Sequence, residues 1–224
     1  MVTSTAHLIL TNNSFESNYF GNVLKPSTET TKISNSALTY NPYFSSGALG
    51  VHYASSVTMS ANKFARNFVN VTYSDGSAAT LLYMCEQAVL TGNHFTQNNV
   101  YDLKYSSSSG SLRVSSCTQL NLSNNIFDSN KGIRGGALHT SDGTHCLMVN
   151  NTVRNNIASM GGAILIAKTN FFFSGNSFLN NSANQGASLF ISGISSSFPC
   201  ENHSKDLKRK KRLLGRKGQR TNLH

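Results

Sequence analysis

Asn93-His-Phe-Thr-Gln-Asn98 and Asn125-Ile-Phe-Asp-Ser-Asn130 are two copies of one pattern, N-x-F-x-x-N, which also occurs at Asn13–Asn18, Asn62–Asn67 and Asn176–Asn181. A sixth copy, Asn151–Asn156, carries Val153 where the others carry phenylalanine. Just upstream, apolar residues alternate with polar ones: Leu8/Leu10, Val57/Met59, Ala88/Leu90, Leu120/Leu122 and Phe171/Phe173. Alternation with a period of two residues is the mark of a strand with one buried face. A Ser or Thr stands four residues before the aromatic in five copies, at Thr11, Ser60, Thr91, Ser123 and Ser174.

A second element precedes the last five copies: Ser46-Gly-Ala-Leu49, Ser77-Ala-Ala-Thr80, Ser109-Gly-Ser-Leu112, Gly135-Gly-Ala-Leu138 and Gly161-Gly-Ala-Ile164. From its third residue to the Phe or Val anchor the distance is 16, 16, 16, 16 and 15 residues. The anchors themselves lie 49, 31, 32, 26 and 25 residues apart. One half of each unit is therefore fixed in length, and the other half takes the insertions. A further partial copy, Gln185-Gly-Ala-Ser188, follows the last anchor.

Short strands that cannot bury their own apolar face must stack on neighbouring copies, at about 4.8 Å per rung. The pattern predicts an all-β chain: a single-stranded, parallel β-helix solenoid of about six coils, right-handed because parallel crossovers take that hand. Phe15, Phe64, Phe95, Phe127, Val153 and Phe178 should form an internal column. Asn18, Asn67, Asn98, Asn130, Asn156 and Asn181 should stack beside it as a hydrogen-bonded ladder. Asparagine also tolerates left-handed backbone at the corners between strands. An antiparallel sandwich would share the short strands and Asn/Gly turns, but it does not require one motif at one corner six times.

Composition agrees. Asparagine and serine number 27 and 33 of 224 residues, and only 12% are charged, which excludes an all-helical bundle. No apolar run approaches the roughly 18 residues of a membrane span. The stretch from Met1 to Leu10 has no basic region, and its apolar run is confined to Leu8–Leu10, so no secretory signal is expected there. Six N-x-S/T sequons are no more than 27 asparagines should give by chance, so they do not decide the compartment.

The net charge of +10 divides unevenly. Residues 1–200 hold 10 Lys/Arg and 7 Asp/Glu, whereas residues 201–224 hold 9 and 2. The chain thus reads as a repeat domain over 1–200, with a long insertion at 19–45, and a basic, disordered tail over 201–224. The tail's run of Lys208, Arg209, Lys210, Lys211 and Arg212 reads as a polyanion contact or import signal, as a solvated extension, or as a stretch foreign to the fold. Nucleic-acid binding rests on that run alone.

The paired F-x-x-N and G-G-A-[ILV] motifs resemble the repeats of chlamydial polymorphic outer-membrane proteins, over about residues 7–191, within the wider pectate-lyase-like superfamily of right-handed β-helices. Full G-G-A-[ILV] stands only at Gly135–Leu138 and Gly161–Ile164. The resemblance implies a secreted or surface-displayed, adhesin-like passenger. Separately, the repeat shows no cap at either end, so a fragment of a longer repeat protein is expected, acting as a non-enzymatic scaffold that binds carbohydrate or protein along a stacked face.

β-Helices also carry polysaccharide lyases and glycoside hydrolases, which need clustered carboxylates. Seven acids precede the tail, Glu16, Glu29, Asp75, Glu86, Asp102, Asp128 and Asp142, and they are expected at different corners with no two stacked. His52, His94, His139 and His145 lack zinc-site spacing, so no metal and no cofactor are expected. Cys85 and Cys117 both lie ten residues before their anchors and should stack in adjacent coils, as a disulfide or as a reduced ladder. Residues 19–45 are open to a ligand-contacting role.

Overall fold

The computed structural model describes residues 7–17, 22–24, 30–34, 46–69, 76–100, 108–143, 145–193 and 200–204. The chain opens with β1 (His7–Thr11) and β2 (Ser14–Glu16), followed by β3 (Asn22–Leu24) and β4 (Thr30–Ser34). The next coil is β5 (Leu49–His52), β6 (Ser56–Ser60), β7 (Lys63–Ala65) and β8 (Phe68–Val69). It repeats as β9 (Thr80–Tyr83), β10 (Gln87–Thr91), β11 (His94–Thr96) and β12 (Asn99–Val100). Then come β13 (Leu112–Ser115), β14 (Gln119–Ser123) and β15 (Ile126–Asp128), and after them β16 (Leu138–Ser141), β17 (His145–Val149), β18 (Thr152–Arg154) and β19 (Ile157–Met160). The last coil holds β20 (Ile164–Ala167), β21 (Asn170–Leu179) and β22 (Ser182–Gln185), and β23 (Leu189–Ser192) and β24 (Cys200–Ser204) follow it.

Equivalent strands of successive coils pair in parallel and in register. One sheet runs β23-β20-β16-β13-β9-β5-β3, and another runs β21-β17-β14-β10-β6-β1-β4. The latter continues through the long β21 into the run β18-β15-β11-β7-β2. This is the expected parallel β-helix.

Strands are short because a left-handed residue ends nearly every one. Tyr53, Met84, Ser116, Asp142, Lys168 and Gly193 close the first strand of their coils at φ between 49° and 68°. Asn12, Ala61, Gly92, Asn124 and Asn150 close the second, Gly175 takes the equivalent place inside the long β21, and Ser17, Arg66, Gln97, Ser129, Asn155 and Asn180 close the third. The corners therefore differ from the expectation that the motif asparagines supply the left-handed backbone. The residue before each of them does so. Its side chain faces solvent at nearly every corner, so Ala61, Arg66 or Gln97 is accepted there despite a steric cost of about 1–2 kcal/mol.

The motif asparagine that follows turns inward and is buried. There are two such ladders. Asn67, Asn98, Asn130, Asn156 and Asn181 form the expected one; Asn18 lies outside the described residues. Asn13, Asn62, Asn93, Asn125, Asn151 and Asn176, the first asparagines of the same motifs, form the other. From the second rung on, Nδ2 donates both to the Oδ1 of the next rung and to a main-chain carbonyl of the rung before, as Asn130 does to Asn156 and to Phe95, whereas Asn13 donates to the Thr11 carbonyl of its own rung. The same Oδ1 accepts the backbone N–H of the preceding asparagine, so the ladders satisfy main-chain groups that the corners would otherwise orphan.

Between the ladders, Phe15, Phe64, Phe95 and Phe127 stack with ring centroids 4.6, 4.8 and 4.9 Å apart and planes within 5°. The rung spacing sets these distances and gives the offset-parallel geometry that aromatic quadrupoles favour. Val153 and Phe178 continue the column, both buried.

The degenerate copies of the second element are an alternative turn. Gly135 takes φ 68°, and a Cβ on Gly136 would lie 2.1 Å from the Gly162 carbonyl oxygen, so successive rungs touch there backbone to backbone. Where serine replaces the first glycine, its hydroxyl donates to a main-chain carbonyl: Ser46 to Leu49 and Ser77 to Ser111, each at 2.6 Å.

Strand pairing extends into two flanking segments. The insertion 19–45 contributes β3, which pairs with β5, and β4, which pairs with the far side of β1. It thus pairs an edge that β1 would otherwise leave open. At the other end, β24 pairs with β21, so ordered pairing continues past the expected boundary at residue 200 to Ser204.

Candidate functional site

The invariant half of each coil places β1, β6, β10, β14, β17 and the first part of β21 side by side with no insertion among them. Because alternate side chains point inward, each of these strands presents three outward positions, and each position stacks into a column. The middle column is Ile9, Thr58, Val89, Asn121, Leu147 and Phe172, the last two 37% and 39% exposed. On one side runs a polar column of His7, Ser56, Gln87, Gln119, His145 and Asn170. On the other runs a hydroxyl-rich column, in which Thr11 and Ser60 are 3.2 Å apart and Thr91 and Ser123 are 3.0 Å apart.

None of these outward positions carries Asp, Glu, Lys or Arg. At the two ends of the sheet charged residues join the columns, Lys32 of β4 in register with Ile9 and Glu201 of β24 in register with Ser174; further charges stand past the next corner, on the facet made by β2, β7, β11, β15 and β18. There the hydrogen bond from Lys63 to Glu16, with another from Ser14 and the nearby charge of Arg66, holds the Glu16 carboxyl below its usual range. Burial alone would raise the Asp128 carboxyl. Hydrogen bonds from Asn155, Ser129 and Arg154, at 2.9, 2.8 and 2.9 Å, outweigh it and hold that carboxyl low. Asp142 pairs with Lys168 of the next rung at 3.0 Å.

Glu16 and Asp128 do share one repeat position, the residue after the anchor, contrary to the expectation that no two acids are equivalent. Ala65 and Thr96 lie between them in the register, which puts the two acids three rungs, about 14 Å, apart. Glu16 is paired with Lys63 and Arg66 of the neighbouring coil, and Asp128 with Arg154. Glu86 is exposed at a corner, while Glu29, Asp75 and Asp102 lie outside the described residues.

The histidines scatter. His94 and His145 are exposed, whereas His52 and His139 are buried on the outward side of the β5–β16 sheet. There the Nη1 of Arg113, 6% exposed, donates to the Nδ1 of His139 at 2.9 Å. Among the described residues, no three His, Cys, Asp or Glu side chains are grouped so as to hold a metal ion.

Cys85 and Cys117 stack in adjacent coils as the spacing requires, and both are free thiols. The Cys117 thiol is pushed up by its side-chain hydrogen bond with Cys85 and by burial, which outweigh the opposite effect of the Cys85 N–H that donates to the Cys117 Sγ at 3.3 Å. Cys146, also free, faces inward opposite Leu120, and burial pushes its thiol up to about 12. The tail run Lys208–Arg212 lies outside the described residues.

Two features went unread in the sequence. The second asparagine ladder was visible in the motif itself. The uncharged facet could have been found by aligning only the outward-alternating positions of successive copies.

A family model described as "Right handed beta helix region" matches residues 1–203. It bears on the β-helix at large and not on the narrower polymorphic outer-membrane repeat. No curated protein and no solved structure matches the chain.

Proposed function

The chain belongs to the right-handed β-helix family, and on that premise we propose that it is a non-enzymatic interaction scaffold, displayed outside the cell, which holds an extended ligand along its stacked face. One observation carries the reading: the facet of β1, β6, β10, β14, β17 and β21 runs unbroken over six rungs, with every insertion on the other half of the coil. Outward positions stacked in register at one rung spacing suit a ligand that is itself extended. The resemblance of the motifs to surface-displayed repeats supports an adhesin-like role and an extracellular location.

The competing reading is a polysaccharide lyase or glycoside hydrolase. Such chemistry needs carboxylates within roughly 5–10 Å of one another, or a set of them around calcium. Glu16 and Asp128 are farther apart than that, and both are engaged in ion pairs. Fold alone does not choose between the two, because β-helices host both. Incubation with calcium and a panel of polysaccharides, followed by reducing-end and unsaturated-product assays, tests the proposal. Binding without turnover is the expected result; turnover that scales with protein concentration overturns it.

A further inference from the structure

We infer that Asn12, Asn150 and Asn180 are acceptors of N-linked glycans, and that the glycans at Asn12 and Asn180 shield open edges of the stack. This rests on the extracellular location proposed above and adds a covalent modification to it.

The number of sequons in the chain is uninformative, but their places in the fold are not. None of the twelve motif asparagines begins an N-x-S/T sequon, because the anchor or another residue that is neither Ser nor Thr stands two places on. The repeat thus keeps sequons off its buried ladders. Asn12, Asn150 and Asn180 begin sequons at exposed corners, with φ of 54°, 55° and 54°. A bulky, hydrated oligosaccharide attaches at such a turn without displacing packed side chains. The stack also leaves room there. The same corner of the next rung is Ala61 after Asn12 and Gly175 after Asn150, and a Cβ on Gly175 would lie 2.2 Å from the Asn150 Oδ1.

The hydroxyl of the sequon follows the asparagine and not the corner. Of the twelve residues at the second and third corners, five are asparagine: Asn12, Asn124, Asn150, Asn155 and Asn180. Ser or Thr stands two residues after three of those five, as Ser14, Thr152 and Ser182. Of the other seven corner residues, only Gly175 is followed in this way, by Ser177. Left-handed backbone favours asparagine but asks nothing of the residue two places on. A glycosyl-transfer enzyme does require that hydroxyl.

Two of the three acceptors also stand at strand edges. Ser14 opens β2 and Ser182 opens β22, and each is the last strand of its sheet among the described residues. An unpaired edge invites pairing with another copy unless it is blocked. A glycan two residues before each strand blocks it. Asn12 and Asn150 share one corner column four rungs, about 19 Å, apart, so their glycans do not collide. The other sequons lack this setting. Asn121 is half-buried in the middle of β14, with Val89 and Leu147 in register on either side. Asn202 stands in register with the ladder residue Asn176, and Asn70 lies outside the described residues.

In the transfer, the asparagine Nδ2 bonds to C1 of the first sugar of a lipid diphosphate-linked oligosaccharide. The bond from C1 to the diphosphate oxygen breaks, the lipid diphosphate leaves with the electron pair, and Nδ2 gives up one proton to a base of the transferase.

Glycans are released from the full chain, isolated from its native cells, by an amidase in heavy-oxygen water, which leaves labelled aspartate at each occupied asparagine. Peptide mapping is expected to find the label in place of Asn12, Asn150 and Asn180 and not of Asn121. Ser14→Ala, Thr152→Ala and Ser182→Ala, made in the same cells, should each remove one glycan, and Thr152→Ser should keep it. In sedimentation, the double variant Ser14→Ala/Ser182→Ala should self-associate, whereas wild type and Thr152→Ala should not. Unchanged urea midpoints report that the variants remain folded. A chain displayed outside the cell without glycans overturns the inference and leaves the scaffold standing. A chain confined inside the cell overturns the extracellular reading with it. Label at Asn121 equal to that at the corners overturns the selection by corner geometry, and sedimentation unchanged in the double variant overturns the shielding of the edges.

Discussion

Replacing Asn130 with alanine removes one rung of a buried ladder whose connections are known atom by atom. Asn130 Nδ2 donates to the Phe95 carbonyl at 2.9 Å and to Asn156 Oδ1 at 3.0 Å. Its Oδ1 accepts from the Asn98 backbone N–H at 3.0 Å and from Asn98 Nδ2 at 2.9 Å. After Asn130→Ala the Asn156 Oδ1 still accepts the backbone N–H of residue 130, so that end is only half-broken. Asn98, however, loses the acceptor of its N–H and of one Nδ2 proton, and the Phe95 carbonyl loses the amide. The site is 1% exposed, so solvent does not replace what is lost. At about 1–3 kcal/mol for each buried donor left unsatisfied, the two donors alone give a loss of about 4 kcal/mol. Asn130→Asp separates the two halves: it keeps the acceptor for Asn98 but turns a lone pair toward Asn156 Oδ1, and it should cost at least as much. Gln97→Ala, at an exposed left-handed corner, should change stability by less than about 0.5 kcal/mol. Equilibrium urea unfolding followed by far-ultraviolet circular dichroism measures all three, with the slope checked for constancy. A loss below about 1 kcal/mol for Asn130→Ala at an unchanged slope would refute the view that these amides satisfy the corners.

Other outcomes follow from the same geometry. The Thr80 hydroxyl is buried with no hydrogen-bond partner, so Thr80→Val should raise stability by about 1 kcal/mol in the same urea assay. Gly136→Ala should cost about 3 kcal/mol because its Cβ meets a carbonyl oxygen of the next rung, whereas Gly92→Asn, with open space around it, should be near neutral. The Asp128 carboxyl is held low in the folded protein, so its contribution, at most about 1 kcal/mol, is present above pH ~4 and lost as pH falls through the folded value. Urea midpoints of wild type and Asp128→Asn should therefore converge on acidification, and a gap that widens instead would contradict the ion-pair account. Cys85, Cys117 and Cys146 should resist alkylation at neutral pH until the chain unfolds, when all three react; an intact mass two hydrogens short would restore the bridge.

What the sequence determined by itself is the repeat and its consequences. Six anchors, five of them at a nearly constant distance from a small-residue element, dictate parallel stacking, since each coil is too thin to bury Phe64 or Phe95 without neighbours. That constancy also separates the uninterrupted half of the coil from the half that takes insertions. Left-handed corners at Ala61, Arg66 and Gln97 were hidden, because an exposed corner accepts other side chains beside the Asn and Gly that stand at eight of the eighteen corners. The return of the 19–45 segment to pair with β1 and β5 was equally hidden, since β3 and β4 carry no copy of the motif. So was the capture of Glu16 by Lys63 and Arg66, which lie 47 and 50 residues away in sequence and one rung away in space. The uncharged facet joins the two levels. Its residues are ordinary one strand at a time, and it exists as a surface only because tertiary stacking lays six strands side by side in register.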